Sequence, residues 1–119
     1  KNDARDAEAI AEAVTRPNMR FVPKKTMGQQ DVLLLHRARE LAIKQRTAHG
    51  NQIRGLLAEY GIVVAKGLYH LYELPKILEK EEKKLSIDSK EIFLHLYEQL
   101  KMYAAQVDYY EKKYAASEI

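Results

Sequence analysis

The chain has 119 residues, of which 31% are charged and 46% hydrophobic, and its net charge is +3. These values indicate one domain, or a piece of a larger protein, with a modest core and many solvent-exposed helical faces. The sequence contains no cysteine, which excludes disulfide bonds and thiolate metal sites. It also contains no apolar run of the roughly 18 residues that a membrane-spanning helix needs.

The basic charge is concentrated in the middle third of the chain. Residues 16–54 contain nine Lys and Arg residues against Asp31 and Glu40, a net charge of +7, whereas residues 1–15 and 55–119 each carry −2. Such a block can attract the phosphates of a nucleic acid, but it can equally be the solvated face of a helix. Charge alone favours the solvated face.

Two aspartates, Asp3 and Asp6, stand at the head of an Ala-rich segment that predicts a short helix over residues 3–15. Residues three apart share a helix face, so both carboxylates can point to one place and bind a divalent cation through oxygen. Aspartate near a helix start also caps free backbone N–H groups, which is the more common role of this spacing. Spacing alone therefore favours a cap and leaves the metal site open.

An extended link and a long helix are predicted next. Pro17 ends the first helix. Residues 19–25 are expected to be extended, either as a linker or as an edge strand whose partner strands are not in this chain. Thr26 and Gln29 fit a capping box, and no proline follows before Gly61, which can cap the far end. A helix of this length would measure about 50 Å, which suggests a stalk or coiled-coil arm. Its predicted buried side consists of Leu34, Ala38, Leu41, Ala48, Ile53, Leu56, Leu57 and Tyr60.

Two further helices complete the predicted all-α fold, with a break in the first of them at Leu74-Pro75. The last helix should begin with a capping box formed by Asp88 and Glu91. Its apolar residues alternate at spacings of three and four, which predicts a helical hairpin or antiparallel coiled coil. Tyrosines in such a series can stack on bases, but this spacing favours packing. The series is Phe93, Leu96, Leu100, Tyr103, Val107, Tyr110 and Tyr114.

A complete active site is not visible in the sequence. There is no Gly-rich phosphate loop, no Ser-His-Asp order and no zinc-ligand spacing. The histidines are scattered at intervals that do not converge on one helix face, so each is better explained as a surface or packing residue. They are His36, His49, His70 and His95.

The order of short motifs along the chain resembles the DEDD transposases of insertion sequence family 110, which are related to the pilin-gene inversion recombinase. The resemblance covers nearly the whole chain and is densest over residues 1–67. Its motifs are KNDARDAEAIAEA at residues 1–13, RPNMRFVP at 16–23, LHR at 35–37, QRTA at 45–48 and NQIRGLLAEYGI at 51–62. The chain departs from the family pattern at His49-Gly50, at Ala65-Lys66 and over residues 68–84.

This resemblance implies a RuvC-type, ribonuclease-H-like catalytic domain in which Asp, Glu, Asp and Asp bind a divalent metal, expected to be Mg²⁺. Asp3 and Asp6 match the last two of these positions and are expected to be catalytic metal ligands. Residues 1–25 would end the catalytic domain, and residues 26–119 would form a helical coiled-coil arm. The first two acidic residues are expected upstream, and a domain with a conserved serine is expected downstream.

The resemblance also implies a parent protein that cuts and rejoins DNA at insertion-sequence ends, in a bacterial cytoplasm and at the nucleoid. Its expected partners are DNA, a structured guide RNA and further copies of the chain held through the arm, with no membrane. The fragment alone should be inactive, since it supplies two of four carboxylates. The alternative is an oligomerisation arm or nucleic-acid-binding helical module without catalysis. The candidate phosphate contacts are Arg16, Arg20, Lys24, Lys25, Arg37 and Arg46.

Overall fold

The computed structural model describes residues 26–116. In this range the chain forms helices and no strand, so the all-α prediction is confirmed there. The predicted first helix and the extended link lie outside the described residues. The elements are α1 (Met27–Glu59), α2 (Leu68–Leu71), α3 (Leu74–Lys80), a 3₁₀ turn (Glu82–Lys84) and α4 (Ile87–Ala116).

Helix α1 is bounded by the two local motifs that its sequence predicts. The Thr26 hydroxyl accepts a hydrogen bond from the Gln29 backbone N–H at 3.1 Å, and the Gln29 side-chain oxygen accepts one from the Thr26 N–H at 2.9 Å. At the other end Gly61 has φ of 75°, a left-handed conformation that favours glycine. The Ile62 N–H donates back to the Leu57 carbonyl at 3.0 Å, which completes a Schellman motif.

Helices α1 and α4 pack side by side in opposite directions, as the predicted hairpin requires. Three pairs of aromatic rings show the antiparallel direction, because a ring early in α1 contacts a ring late in α4 and a ring at the end of α1 contacts a ring early in α4. The ring pairs are Tyr60 with Phe93, His49 with Tyr103 and His36 with Tyr114, with centroids 5.5, 5.2 and 5.1 Å apart.

The hydrophobic core lies at the closed end of the hairpin, where α2 and α3 cover the junction of the long helices. Its buried members are Ile53, Leu57, Ile62, Leu71, Leu74, Leu78, Phe93 and Leu100. Towards the open end the buried apolar residues are Ala42 and Val107. Pro75 lies in the first turn of α3, as predicted. The closed end therefore contributes most of the apolar burial among the described residues.

Gly50 lies where side chains of α2 pack closely against α1. A Cβ at this position would come within 2.7 Å of Leu68 Cδ2 and 3.2 Å of Leu71 Cδ1. The helix continues through Gly50 without a break. The glycine that weakens α1 in isolation is thus the one that lets the short helix pack against it.

Four of the eight residues predicted to be buried along α1 are exposed, so this part of the prediction is wrong. Leu34 and Leu41 are 68% and 56% exposed, Ala48 is exposed, and Tyr60 is 42% exposed although its ring contacts Phe93. The side that faces α4 contains Ala42, which is buried. Successive residues are rotated by about 100° around a helix, so Leu41 lies to one side of this face. Apolar residues recur every seven positions on two neighbouring faces of α1. This spacing alone does not show which of the two faces packs against α4.

The cap predicted for the last helix is also wrong. Helix α4 begins at Ile87, and Ser86 caps it in place of Asp88. The Ser86 hydroxyl accepts a hydrogen bond from the Ser89 N–H at 3.0 Å, and the Ser89 hydroxyl accepts one from the Ser86 N–H at 2.8 Å. Serine thus takes the reciprocal role that the prediction gave to Glu91.

The apolar series of α4 faces α1 as predicted. Phe93, Leu100 and Val107 are buried, and the residues between them in the series are partly buried. Tyr114, the last of the series, is 52% exposed and contacts the His36 ring. The tyrosines of the series therefore serve in packing along this interface.

Candidate nucleic-acid interface

The sequence-predicted site residues divide into two groups by position. Two of them, Arg37 and Arg46, lie on α1 within the described residues. The others precede the range that the structure describes and are Asp3, Asp6, Arg16, Arg20, Lys24 and Lys25.

Arg37 and Arg46 point to different sides of α1. They are nine residues apart, which is two and a half turns and places them on opposite faces. Arg37 is exposed, whereas Arg46 is half-buried and its Nε is buried without a hydrogen-bond partner among the described residues. The structure does not bring these two guanidinium groups together on one surface.

Two further arginines of the basic block take part in contacts within the hairpin. Arg39 donates from Nε and Nη2 to Glu111 Oε2, at 2.8 and 2.5 Å, and this ion pair joins α1 to α4 near the open end. Arg54 donates from Nη2 to the side-chain oxygen of Asn51 one turn earlier. Two of the basic side chains in residues 16–54 therefore bind other side chains of the same chain.

Lys44 joins Arg37 as the exposed basic side chain on the outer face of α1, and sequence reasoning missed it. The two residues are seven positions apart, which places them on the same face about 10.5 Å from each other. We call Arg37 and Lys44 the basic pair. The heptad spacing from Arg37 is the signal that could have identified Lys44.

Metal ligands do not converge in the described part of the chain. Between residues 26 and 116 no group of three or more His, Cys, Asp or Glu side chains is close enough to hold an ion. His49 instead places Nε2 2.8 Å from the Leu96 carbonyl oxygen, so this nitrogen carries the proton and donates across the helix interface. No helix in this range is long and apolar enough to cross a membrane. The metal chemistry predicted from the sequence thus depends on Asp3 and Asp6.

Comparison with known proteins identifies the family. A family model described as a transposase, of the DEDD type of insertion sequence IS110, matches residues 1–62, which is more than half of the chain. The chain belongs to this family. The match includes Asp3 and Asp6 and extends through α1 to Ile62. The resemblance inferred from the sequence motifs is thereby confirmed.

Curated relatives carry the same description. The transposase for insertion sequence element IS1111A of Coxiella burnetii is 50% identical over 101 residues, which cover 84% of this chain and 28% of that protein. A putative transposase of Sinorhizobium fredii is 54% identical over 74 residues, or 62% of this chain and 19% of the relative. A probable family 20 transposase of Pseudomonas aeruginosa is 50% identical over 66 residues, or 56% and 20%.

The chain is much shorter than these relatives. It spans less than a third of the length of each of these relatives. No solved structure matches it.

Proposed function

We propose that the parent protein is a transposase that cuts and rejoins DNA at the ends of an insertion sequence, and that Asp3 and Asp6 are two of its catalytic metal ligands. The observation that carries this proposal is the family match over residues 1–62, which includes both aspartates and continues into α1. The names of the relatives, transposases of insertion sequence elements, support the same activity.

The donor chemistry of Asp3 and Asp6 fits a hard divalent cation such as Mg²⁺. Two carboxylates at neighbouring positions of one helix face repel each other, and a cation with oxygen ligands removes that repulsion. When bound, such an ion stabilises negative charge on a phosphate and on a displaced oxygen. The aspartates hold and orient the ion, and the remaining acidic ligands come from elsewhere in the parent.

In this proposal the chain has two functional parts. Residues 1–25 close the RuvC-like catalytic domain, and residues 26–119 form a coiled-coil arm that holds copies of the parent together. The antiparallel packing of α1 on α4 and the length of α1, about 50 Å, support a role as an arm. The parent then works at the bacterial nucleoid on DNA, with a structured guide RNA as a second nucleic-acid partner.

The phosphate contacts of the parent are assigned to basic residues that follow the aspartates in the sequence and to basic residues on the outer face of α1. The basic pair, Arg37 and Lys44, is exposed and supports this role. Arg46 is half-buried, so it is less accessible to a phosphate than the basic pair. The contacts nearer the catalytic residues are Arg16, Arg20, Lys24 and Lys25.

Substitution of both carboxylates tests the catalytic role. We expect the full-length parent with Asp3→Asn and Asp6→Asn to lose transposition while its melting temperature stays unchanged, because asparagine keeps the size and the capping ability but not the charge. Unimpaired transposition in this variant would refute the metal role.

The same variant tests the structural alternative, in which the chain is only an oligomerisation arm and the aspartates cap a helix. The helical hairpin favours this second candidate function. Asp3→Ala and Asp6→Ala together remove the caps as well as the charges. A fall in melting temperature with alanine but not with asparagine, and transposition retained with asparagine, would establish the cap in place of the metal site.

Salt dependence tests the phosphate contacts of the arm. In the full-length parent, replacing Arg37 and Lys44 by Gln should weaken DNA binding and lower the slope of log K against log salt by about 1 for each phosphate that the variant no longer neutralises. Lys76→Gln is the control, since Lys76 lies on α3, its side chain is 85% exposed, and it pairs with Glu73. An unchanged slope in the double variant would remove the basic pair from the interface.

A further inference from the structure

Near its start, α1 carries apolar side chains that the hairpin covers incompletely. Residues 32–35 have the sequence VLLL, and four consecutive residues point around most of the circumference of a helix. None of the four is buried, and Leu34 is 68% exposed. A helix that is apolar on all sides is normally buried on all sides, whereas α4 packs along one side of α1. The open end of the hairpin therefore presents an apolar surface that the described residues leave partly uncovered.

A depression between α1 and α4 opens on this surface. Its volume is about 570 Å³, which is enough for several large side chains. Tyr109, on its α4 wall, is 57% exposed. We call this depression the end groove. Its α1 wall spans residues 31–38 and includes Leu34 and Leu35, and its α4 wall includes Tyr109, Tyr110 and Lys113.

We propose that the end groove binds the segment that directly precedes α1, with Met19 and Phe21 inserted between the two long helices. The segment folds back just before Thr26 and runs beside α1. This contact fixes the direction in which the chain leaves the hairpin toward Asp3 and Asp6, and it does not depend on the catalytic role of these two residues.

The length of the segment fits this path. A reversal that uses the two residues after Pro23 places this proline beside Thr26. Phe21 and Met19 then lie about 7 and 13 Å further along an extended chain. The α1 wall of the end groove, residues 31–38, extends from about 7 to 18 Å beyond Thr26. Both side chains therefore come level with the groove.

The sequence of the segment suits an extended chain with two large apolar side chains on one side. A residue before proline is pushed out of the helical region, so Pro17 and Pro23 favour extended chain at both ends of the segment. Successive side chains of extended chain point to opposite sides, which puts Met19 and Phe21 on one side and Arg20 on the other. Arg20 then stays accessible to a phosphate, as its proposed contact requires.

The covalent link favours this segment over a separate molecule as the occupant. A segment joined to Thr26 by a few residues reaches the groove at an effective concentration on the order of millimolar. A separate molecule must also offset its loss of translational and rotational freedom. A stable interface between two molecules uses about 20–30 residues on each side, whereas the end groove is lined by eight. The groove is thus small for a separate partner and sufficient for a tethered one.

A pair of introduced cysteines tests the contact, since the chain has no cysteine of its own. Met19→Cys is combined with Lys113→Cys in the 119-residue chain, and the rate of disulfide formation within one chain is measured in dilute solution. Met19→Cys with Lys112→Cys is the matched control, because the Lys112 side chain is 78% exposed, pairs with Asp108 and does not line the groove. We expect the pair with Lys113→Cys to close faster by roughly 10-fold or more, because docking holds the two cysteines within bonding distance.

The fluorescence of a single tryptophan tests the inserted side chain, because the chain contains no tryptophan. Phe21→Trp should emit at a shorter wavelength in the folded chain than in urea, since the groove removes the indole from water. Adding Tyr109→Asp, which puts a carboxylate on the groove wall, should move the emission to longer wavelength. Adding Val63→Asp should leave it unchanged, because Val63 is 90% exposed in the loop after α1 and does not line the groove.

Protein concentration separates the possible occupants. Docking within one chain gives a disulfide rate and an emission wavelength that do not depend on concentration. A dependence of both on concentration would mean that another copy fills the end groove, and it would overturn the proposal. Equal disulfide rates for the two cysteine pairs would overturn it as well, and this is the result expected of an edge strand whose partner strands lie elsewhere in the parent.

Docking of a terminal segment is a local event, so the unfolding of the hairpin should change little in these variants. Circular dichroism checks that each variant keeps its helices. If Tyr109→Asp loses them, the comparison of the two disulfide rates still decides. The asparagine variants of the parent test Asp3 and Asp6 separately, so a failure of docking is distinguishable from a failure of the catalytic proposal.

Discussion

Gly50 and Gly55 lie five residues apart in the middle of α1 but have different surroundings. A Cβ at Gly50 would meet the side chains of Leu68 and Leu71, whereas a Cβ at Gly55 would meet nothing within 4 Å apart from its chain neighbours and the backbone of its own helix. Glycine weakens a helix relative to alanine, so the two positions look alike in the sequence. The sequence does not separate them, because the difference arises from the packing of α2 against α1, which no local pattern around either glycine shows.

This contrast leads to a paired prediction. Alanine stabilises an exposed helical position by up to about 1 kcal/mol relative to glycine, so Gly55→Ala should raise the free energy of unfolding by roughly 0.5–1 kcal/mol. Gly50→Ala should gain less or lose stability, because Leu68 must move to make room. Urea unfolding at several protein concentrations measures both changes and separates any contribution from association. Equal gains would show that α2 does not press on Gly50.

At the scale of the elements, local signals in the sequence predict the structure well, and the choice of the buried face is predicted poorly. The cap at Thr26, the C-terminal Gly61 and the Pro75 in the first turn of α3 depend on residues within one turn of each other, and all three are confirmed. The apolar series of α4 is confirmed too, because its single clear pattern leaves one face to bury. Helix α1 has apolar residues on two neighbouring faces, and only the packing of α4 selects between them.

Replacing a leucine by alanine shows whether that leucine lies on a buried or an exposed face, because only a buried leucine contributes much to the free energy of unfolding. Leu100→Ala removes a fully buried side chain and should lower the free energy of unfolding by about 2–5 kcal/mol. Leu34→Ala, the matched control on the outer face of α1, should change it by less than about 0.5 kcal/mol in the monomer. Urea unfolding below the concentration of association checks both. A large loss of stability from Leu34→Ala would show that Leu34 is buried in the folded chain, contrary to its exposure in the structure.

At the scale of the whole molecule, the described residues form a helical hairpin, and the proposed metal ligands Asp3 and Asp6 precede it in the sequence. The arm has a core at its closed end, ion pairs on its surface and no group of metal ligands between residues 26 and 116. The order of motifs in the sequence already indicates the family, because many short matches occur at the right separations. Which faces of the two long helices stay exposed is visible only once α4 is placed beside α1.

If the catalytic proposal is correct, the 119-residue chain alone is inactive. Two carboxylates of four cannot hold a divalent ion in a working geometry, so the 119-residue chain with Mg²⁺ should leave DNA uncut. Gel analysis of DNA carrying an insertion-sequence end detects cleavage. Cleavage by the purified chain would contradict the assignment of the missing ligands to the rest of the parent.

The most direct test of the central claim measures DNA cleavage by the full-length parent in which Asp6 is replaced by cysteine. If Asp6 binds the metal, the softer thiolate ligand should lower cleavage with Mg²⁺ by roughly 100-fold or more. Replacing Mg²⁺ by Mn²⁺ should then restore much of the activity to the variant. Cleavage that Asp6→Cys leaves unchanged with Mg²⁺ would contradict a role of Asp6 as a metal ligand.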